Sequence, residues 1–157
     1  MIEKNDLRRV MGHFATGVTV VTTRDGSGRH YGLTANSVTS VSLTPPLILI
    51  CVDKKADCYP CFEDTKVFTV NILSEGQQDL SSRFATKGAV KFEGVDYREG
   101  VNGCAVITDS VGHLDCRVVL TYEGGDHTIY VGEVDGGDSA ELPPLLFFRG
   151  GYRRLEG

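Results

Sequence analysis

Between Leu33 and Pro46 the chain reads LTANSVTSVSLTPP, which places six hydroxyl side chains and one amide directly before LILICV, its most apolar run. Short groups that donate and accept hydrogen bonds suit either a polar sheet face or a ligand edge rich in acceptors and N–H groups. A second candidate is Cys58-Tyr-Pro-Cys61, the C-x-x-C spacing of a redox dithiol. Thioredoxin-like chemistry needs a mixed sheet with substantial helices. The downstream half offers hairpins, so two packing or loop thiols are the preferred reading. His127, in GGDHTIYVGEV, follows a Gly-Gly-Asp turn at a strand start, where a solvated or capped histidine and a functional one are both compatible with the pattern. The four histidines have no partner at metal-ligand spacing, and no G-x-S-x-G or Cys–His pairing indicates a side-chain nucleophile. GSGRHYG, from Gly26, lacks the spacing of a phosphate loop and reads as a hairpin turn beginning at Asp25-Gly26.

These residues need elements to hold them. Leu7, Val10, Met11 and Phe14 recur at helical spacing, with Asn5 or Asp6 as a cap and Gly17 as a stop. Val18–Thr23 is β-branched throughout and predicts a strand that RDGSGRH turns back into YGLTANSVTSVS as its hairpin partner. Pro46–Val52 reads as a buried strand and Val67–Leu73 as another, with a short helix between them carrying Pro60 in its first turn. Ser74 and Gln77 form a capping-box pattern before a helix that places Leu80 and Phe84 on one face. AVITDSV, LDCRVVLTYEG, HTIYVGEVDG and LLFFRGGYRRL predict short strands separated by Gly, Asp and Asn turns. The expectation is one domain over residues 1–157, mainly β, a barrel with peripheral helices that leaves no sheet edge exposed.

A chain of 157 residues is large enough for a real core, and 41% hydrophobic with 24% charged residues is ordinary for a globular protein. The formal net charge of −5 and the lack of any Lys/Arg run weigh against nucleic acid. No apolar stretch is long enough to span a bilayer and the N-terminus has no signal-peptide core, so a cytoplasmic location and no membrane contact are expected. Five cysteines, an odd count, fit reduced and mostly buried thiols.

Five runs, FATGVTVVTT, GLTANSVTSVSLTPPLILICVDK, FTVNILSEGQQDLSSRFA, GGDHTIYVGEV and PLLFFRGGYRRL, follow one another from about Met11 to Leu155. Together they resemble the flavin reductase-like family, the small reductase components of two-component flavin-dependent monooxygenases. The resemblance implies an FMN-binding split β-barrel of Greek-key type, a homodimer, FMN or FAD as flavin and NADH or NADPH as donor. It also implies a separate oxygenase that receives the reduced flavin. Thr34, Ala35, Asn36 and Ser37 match the segment that lies along the isoalloxazine. Cys51, Val52 and Asp53 match a second flavin segment, with Lys55 and Cys58 on the turn that follows. Lys54 or Lys55 would neutralise the flavin phosphate. Lys55, Asp57, Cys58 and Cys61 depart from the family pattern, which often has a small hydroxyl residue after the Lys and an aliphatic one around the Pro. Arg83 and Phe84 match a third contact, for phosphate and for the ring or ribityl pocket. The resemblance places His127 near the nicotinamide, as the catalytic candidate, and Tyr152 and Arg153 at the same mouth. Two other readings stand beside this one: a flavin-binding sensor or electron carrier on the same barrel, and a thiol-disulfide protein using Cys58 and Cys61.

Overall fold

The computed structural model describes residues 1–88 and 90–156. Its main sheet has seven antiparallel strands: β2 (Thr19–Arg24), β3 (His30–Ala35), β4 (Val38–Leu43), β5 (Pro46–Asp53), β6 (Val67–Ile72), β9 (Gly112–Gly124) and β10 (His127–Ser139). Between and beside them run β1 (Thr16–Gly17), β7 (Tyr97–Glu99), β8 (Ala105–Ile107), β11 (Leu146–Phe148) and β12 (Gly151–Arg153). The helices are α1 (Lys4–Met11), α2 (Tyr59–Thr65) and α3 (Gln78–Phe84).

The strand order is β3-β2-β6-β9-β10-β5-β4. Thus β3 and β4, consecutive in the chain and joined only by Asn36 and Ser37, form opposite edges of one sheet. A two-residue link spans only about 10 Å, so the sheet curls until its edges lie close together. At that seam the Cys51 amide donates to the Ser37 carbonyl at 3.1 Å and the Thr19 hydroxyl to the Ala35 carbonyl at 2.6 Å. The predicted hairpin partner of β2 therefore breaks in two. Residues 30–35 pair with β2, and residues 38–43 pair with β5. The curl is consistent with a split barrel.

One core lies inside the curl, where Val21, Ile50, Val52, Phe62, Phe68 and Tyr130 pack together. On β5 burial alternates: Ile48, Ile50 and Val52 face this core, whereas Leu49 and Cys51 are only half-buried on the other face. The expected fully buried strand is thus one-sided. A second core, with Val20, Leu73, Phe84 and Ile107, covers the outer face of β2 under α3. Two buried polar side chains stitch the β7–β8 hairpin to the sheet. The Asn71 amide group accepts from the Ile107 N–H at 2.8 Å and donates to the Ala105 carbonyl at 3.2 Å, and the Thr22 hydroxyl donates to the same carbonyl at 2.6 Å. Burial of such groups is tolerated because each is paired.

Other sequence expectations need correction. Asn5 and Asp6 do not cap α1: Glu3 precedes it, and the helix stops at Gly12, five residues before Gly17. The second half is not built of short strands alone, because β9 and β10 run 13 residues each, with register shifts at Val131/Gly132 and Val134/Gly136. Pro60 does sit in the first turn of α2, and the Gln77 side chain accepts from the Ser74 N–H at 3.0 Å just ahead of α3.

Candidate functional site

At the seam between the sheet edges a groove of about 1140 Å³ opens. Asn36 and Ser37 lie on its rim because the link between β3 and β4 crosses there. Cys51 comes from the half-buried face of β5, and His127 opens β10, its neighbour, where it pairs with Asp53. Leu49, Ile72 and Leu114 give the groove an apolar floor. Burial pushes the Cys51 thiol up, away from thiolate.

The Nδ1 atom of His127 lies 2.7 Å from the Asp126 carboxylate. That hydrogen bond holds the Asp126 carboxyl below the usual carboxylate range. The turn that carries both residues is fixed from β5: the Lys54 amide donates to the Asp126 carbonyl at 3.1 Å, and the Lys54 ammonium pairs with Glu123.

Four of the sequence candidates therefore meet in one groove: Asn36, Ser37, Cys51 and His127. The others do not line it. The Thr34 hydroxyl donates to the Ser81 carbonyl at 2.6 Å, tying β3 to α3, and the Ala35 carbonyl is engaged by Thr19. The side chains of Val52 and Phe84 are core residues, and Cys58 is buried beneath the start of α2. Asp53 closes its own turn by accepting from the Lys55 amide at 2.8 Å, which leaves the Lys55 side chain in solvent. Arg83 donates to the Glu93 carbonyl at 2.8 Å. The Tyr152 hydroxyl meets Ser81 Oγ at 2.7 Å, while the Arg153 guanidinium turns back to the Tyr152 carbonyl. Ser81, a buried residue that ties β3, α3 and β12 together, carried no sequence signal as an isolated serine.

Two further walls of the groove went unread. One is the apolar face of α1, with Leu7, Met11 and, beyond its end, Phe14; the other is Phe147 with Gly150 from the β11–β12 hairpin. Helical spacing revealed the first as amphipathic but not what it faces. The Cys58–Cys61 pair has the opposite tuning from a reactive dithiol. Burial pushes Cys58 up to about 12 and raises Cys61 as well, whereas attacking thiols are tuned down.

A family description, flavin reductase like domain, matches residues 11–156. The chain belongs to this family. Among flavin reductase-like proteins it is 43% identical over 146 residues to the stachydrine N-demethylase reductase subunit of Rhizobium meliloti, covering 93% of this chain and 64% of that protein. Another Rhizobium meliloti relative is also 43% identical over 146 residues, and the match spans only 47% of it. The reductase subunit of a flavin-dependent monooxygenase from Rhodococcus jostii is 38% identical over 156 residues, covering 99% of this chain and 80% of the relative. Among solved structures, the NADH:FAD oxidoreductase of Streptomyces globisporus in complex with NAD and FAD fragments matches with a TM-score of 0.92 and 41% identity, over 99% of this chain and 96% of that one. The flavin reductase-like structure thus shares the overall fold of this chain.

Proposed function

We propose that the chain is an NAD(P)H:flavin oxidoreductase that supplies reduced FMN or FAD to a separate flavin-dependent monooxygenase. The carrying observation is the meeting of Asn36, Ser37, Cys51 and His127 around an apolar floor in a chain of this family. That donor set fits a flavin: the floor suits a flat ring, and the short polar groups on the rim suit its hydrogen-bonding edge. When bound, the flavin supplies the redox chemistry, accepting at N5 a hydride from nicotinamide C4.

The protein's part is binding and orientation. Asn36 and Ser37 hydrogen-bond the ring edge, while Thr34 and Ala35 hold the strand that presents them. Leu49 and Cys51 shape the floor, with Val52 anchoring that strand in the core and Asp53 and Lys55 forming its exit. Lys55 and Arg83 face the flavin phosphate, with Phe84 supporting that side. His127, steadied by Asp126, positions the nicotinamide or balances the proton at the flavin. Tyr152 and Arg153 border the mouth.

The reading extends to a split barrel of Greek-key type that forms one domain and assembles as a homodimer. The support for assembly is α1, which buries none of its residues and leaves Leu7, Val10 and Met11 about half exposed on one face beside the groove. A two-fold arrangement gives two equivalent sites. All five cysteines are free thiols, in keeping with a reducing, cytoplasmic setting. The test is anaerobic: NADH or NADPH added with FMN or FAD should bleach the flavin absorbance catalytically. Flavin that binds without bleaching would leave a sensor or electron carrier instead.

A further inference from the structure

The groove has one permanently charged residue in its lining, and that residue comes from α1. Leu7, Arg8, Met11 and Gly12 of this segment line the groove. Arg8 with Met11 and Gly12 follows the i, i+3, i+4 spacing of one helical face. Arg9 is not in the lining and pairs with Asp6 at 3.3 Å, whereas Arg8 is exposed and has no carboxylate partner among the described residues. Among the described residues that line the groove, Arg8 is the only Lys or Arg, and no Asp or Glu joins it. Lys55 and Arg83, the residues assigned to the flavin phosphate, are not part of the lining.

The start of the helix lies near the turn that carries His127. The His127 hydrogen bond is the main cause of the lowered Asp126 carboxyl, and the charge of Lys4 adds to it. Lys4 and Arg8 are i and i+4 on α1, neighbours about 6 Å apart along its axis. Arg8 is thus one helical turn from the charge that reaches Asp126. The chain carries a formal net charge of −5, which repels anions unless a local cation offsets it. An arginine keeps its charge at any working pH, and its planar fork of N–H donors matches phosphate oxygens.

We infer that Arg8 holds a phosphate of a nucleotide seated in the groove. The inference rests on the reductase reading above. Both the nicotinamide donor and FMN or FAD carry such a group, and the place of α1 beside the His127 turn favours the donor.

The test compares wild type with Arg8→Met and Arg8→Lys, using substrates with and without phosphate. Donors are NADH and 1-benzyl-1,4-dihydronicotinamide, which has no phosphate; flavins are FMN and riboflavin. If the donor is the source, Arg8→Met raises KM for NADH by roughly tenfold, the loss of one charge-assisted contact. KM for the benzyl compound then holds within about twofold, and Arg8→Lys recovers part of the loss because the charge remains. If the flavin is the source, Kd for FMN rises by that factor and Kd for riboflavin holds. The phosphate-free member of each pair reports on folding, since a misfolded variant loses both. Equal changes within both pairs, or no change in either, in variants with wild-type circular dichroism overturn the inference alone. Equal losses in a variant that light scattering shows to have dissociated overturn it too, and assign Arg8 to assembly. A wild-type protein that reduces no flavin with either donor overturns the reductase reading, and this inference with it.

Discussion

Asp126 and His127, adjacent in sequence, are joined through their side chains at 2.7 Å between Oδ1 and Nδ1. The contact occupies one ring nitrogen and leaves Nε2 as the one open to a ligand. Because His127 depresses the Asp126 carboxyl in the folded protein, the pair is intact above the ordinary carboxylate range. It is lost only as pH falls through that depressed value. Asp126→Asn should lower kcat/KM for the nicotinamide donor by less than about fivefold, as an exposed pair allows, and should change the acid limb of its pH profile. An unchanged pH profile would reduce the aspartate to a turn residue.

Ser37 offers its hydroxyl at the groove rim while its carbonyl is already held by the Cys51 amide. Ser37→Ala should therefore keep the fold and weaken flavin by roughly three- to tenfold, the loss of one neutral hydrogen bond worth about 0.5–1.5 kcal/mol. A fluorescence titration that matches wild type would remove Ser37 from the site.

Arg83 spends one of its five N–H donors on the Glu93 carbonyl, which leaves the rest of the guanidinium for phosphate. Arg83→Ala should weaken FMN more than riboflavin, because only FMN carries the phosphate. Equal weakening would show that the residue merely braces the segment around Glu93.

The exposed apolar face of α1 predicts assembly. Leu7→Asp combined with Met11→Asp should convert a dimer to a monomer in light scattering at micromolar concentration, with flavin affinity lost in parallel. A monomeric variant that turns over NADH at the full rate would refute a site that depends on the second copy.

Gly132 on β10 sits where an added Cβ would lie 2.6 Å from the Phe68 ring and 2.9 Å from Cys116 Cβ, both in the inner core. Gly132→Ala should cost about 1–3 kcal/mol by overpacking and lower Tm by several degrees, at about 2–4 °C per kcal/mol in a chain of this size. Calorimetry with no shift would mean that the core can yield there.

Much of this was legible in residue order because it depends on near neighbours. The β-branched run of β2, Pro60 at the start of α2 and Ser74 with Gln77 ahead of α3 act within a few residues, and the periodicity of Leu7, Val10 and Met11 showed an amphipathic helix. Asn36, Ser37, Cys51 and His127 were recognisable as candidates through the family pattern they carry. The tertiary structure decided what joins distant positions. YGLTANSVTSVS has one continuous β-forming composition, yet its halves pair with β2 and β5 at opposite edges of the sheet. Only the long-range pairing of the sheet determines that the chain breaks at Asn36. Thr34 and Ser81, 47 residues apart, meet only because α3 packs over β3, and no spacing rule connects them. Cys58 and Cys61 had redox spacing, but the thiol's reactivity depends on its surroundings, and burial at the start of α2 raises both. Residue types prescribe local conformation and which groups need partners. Which partner each one finds depends on long-range packing.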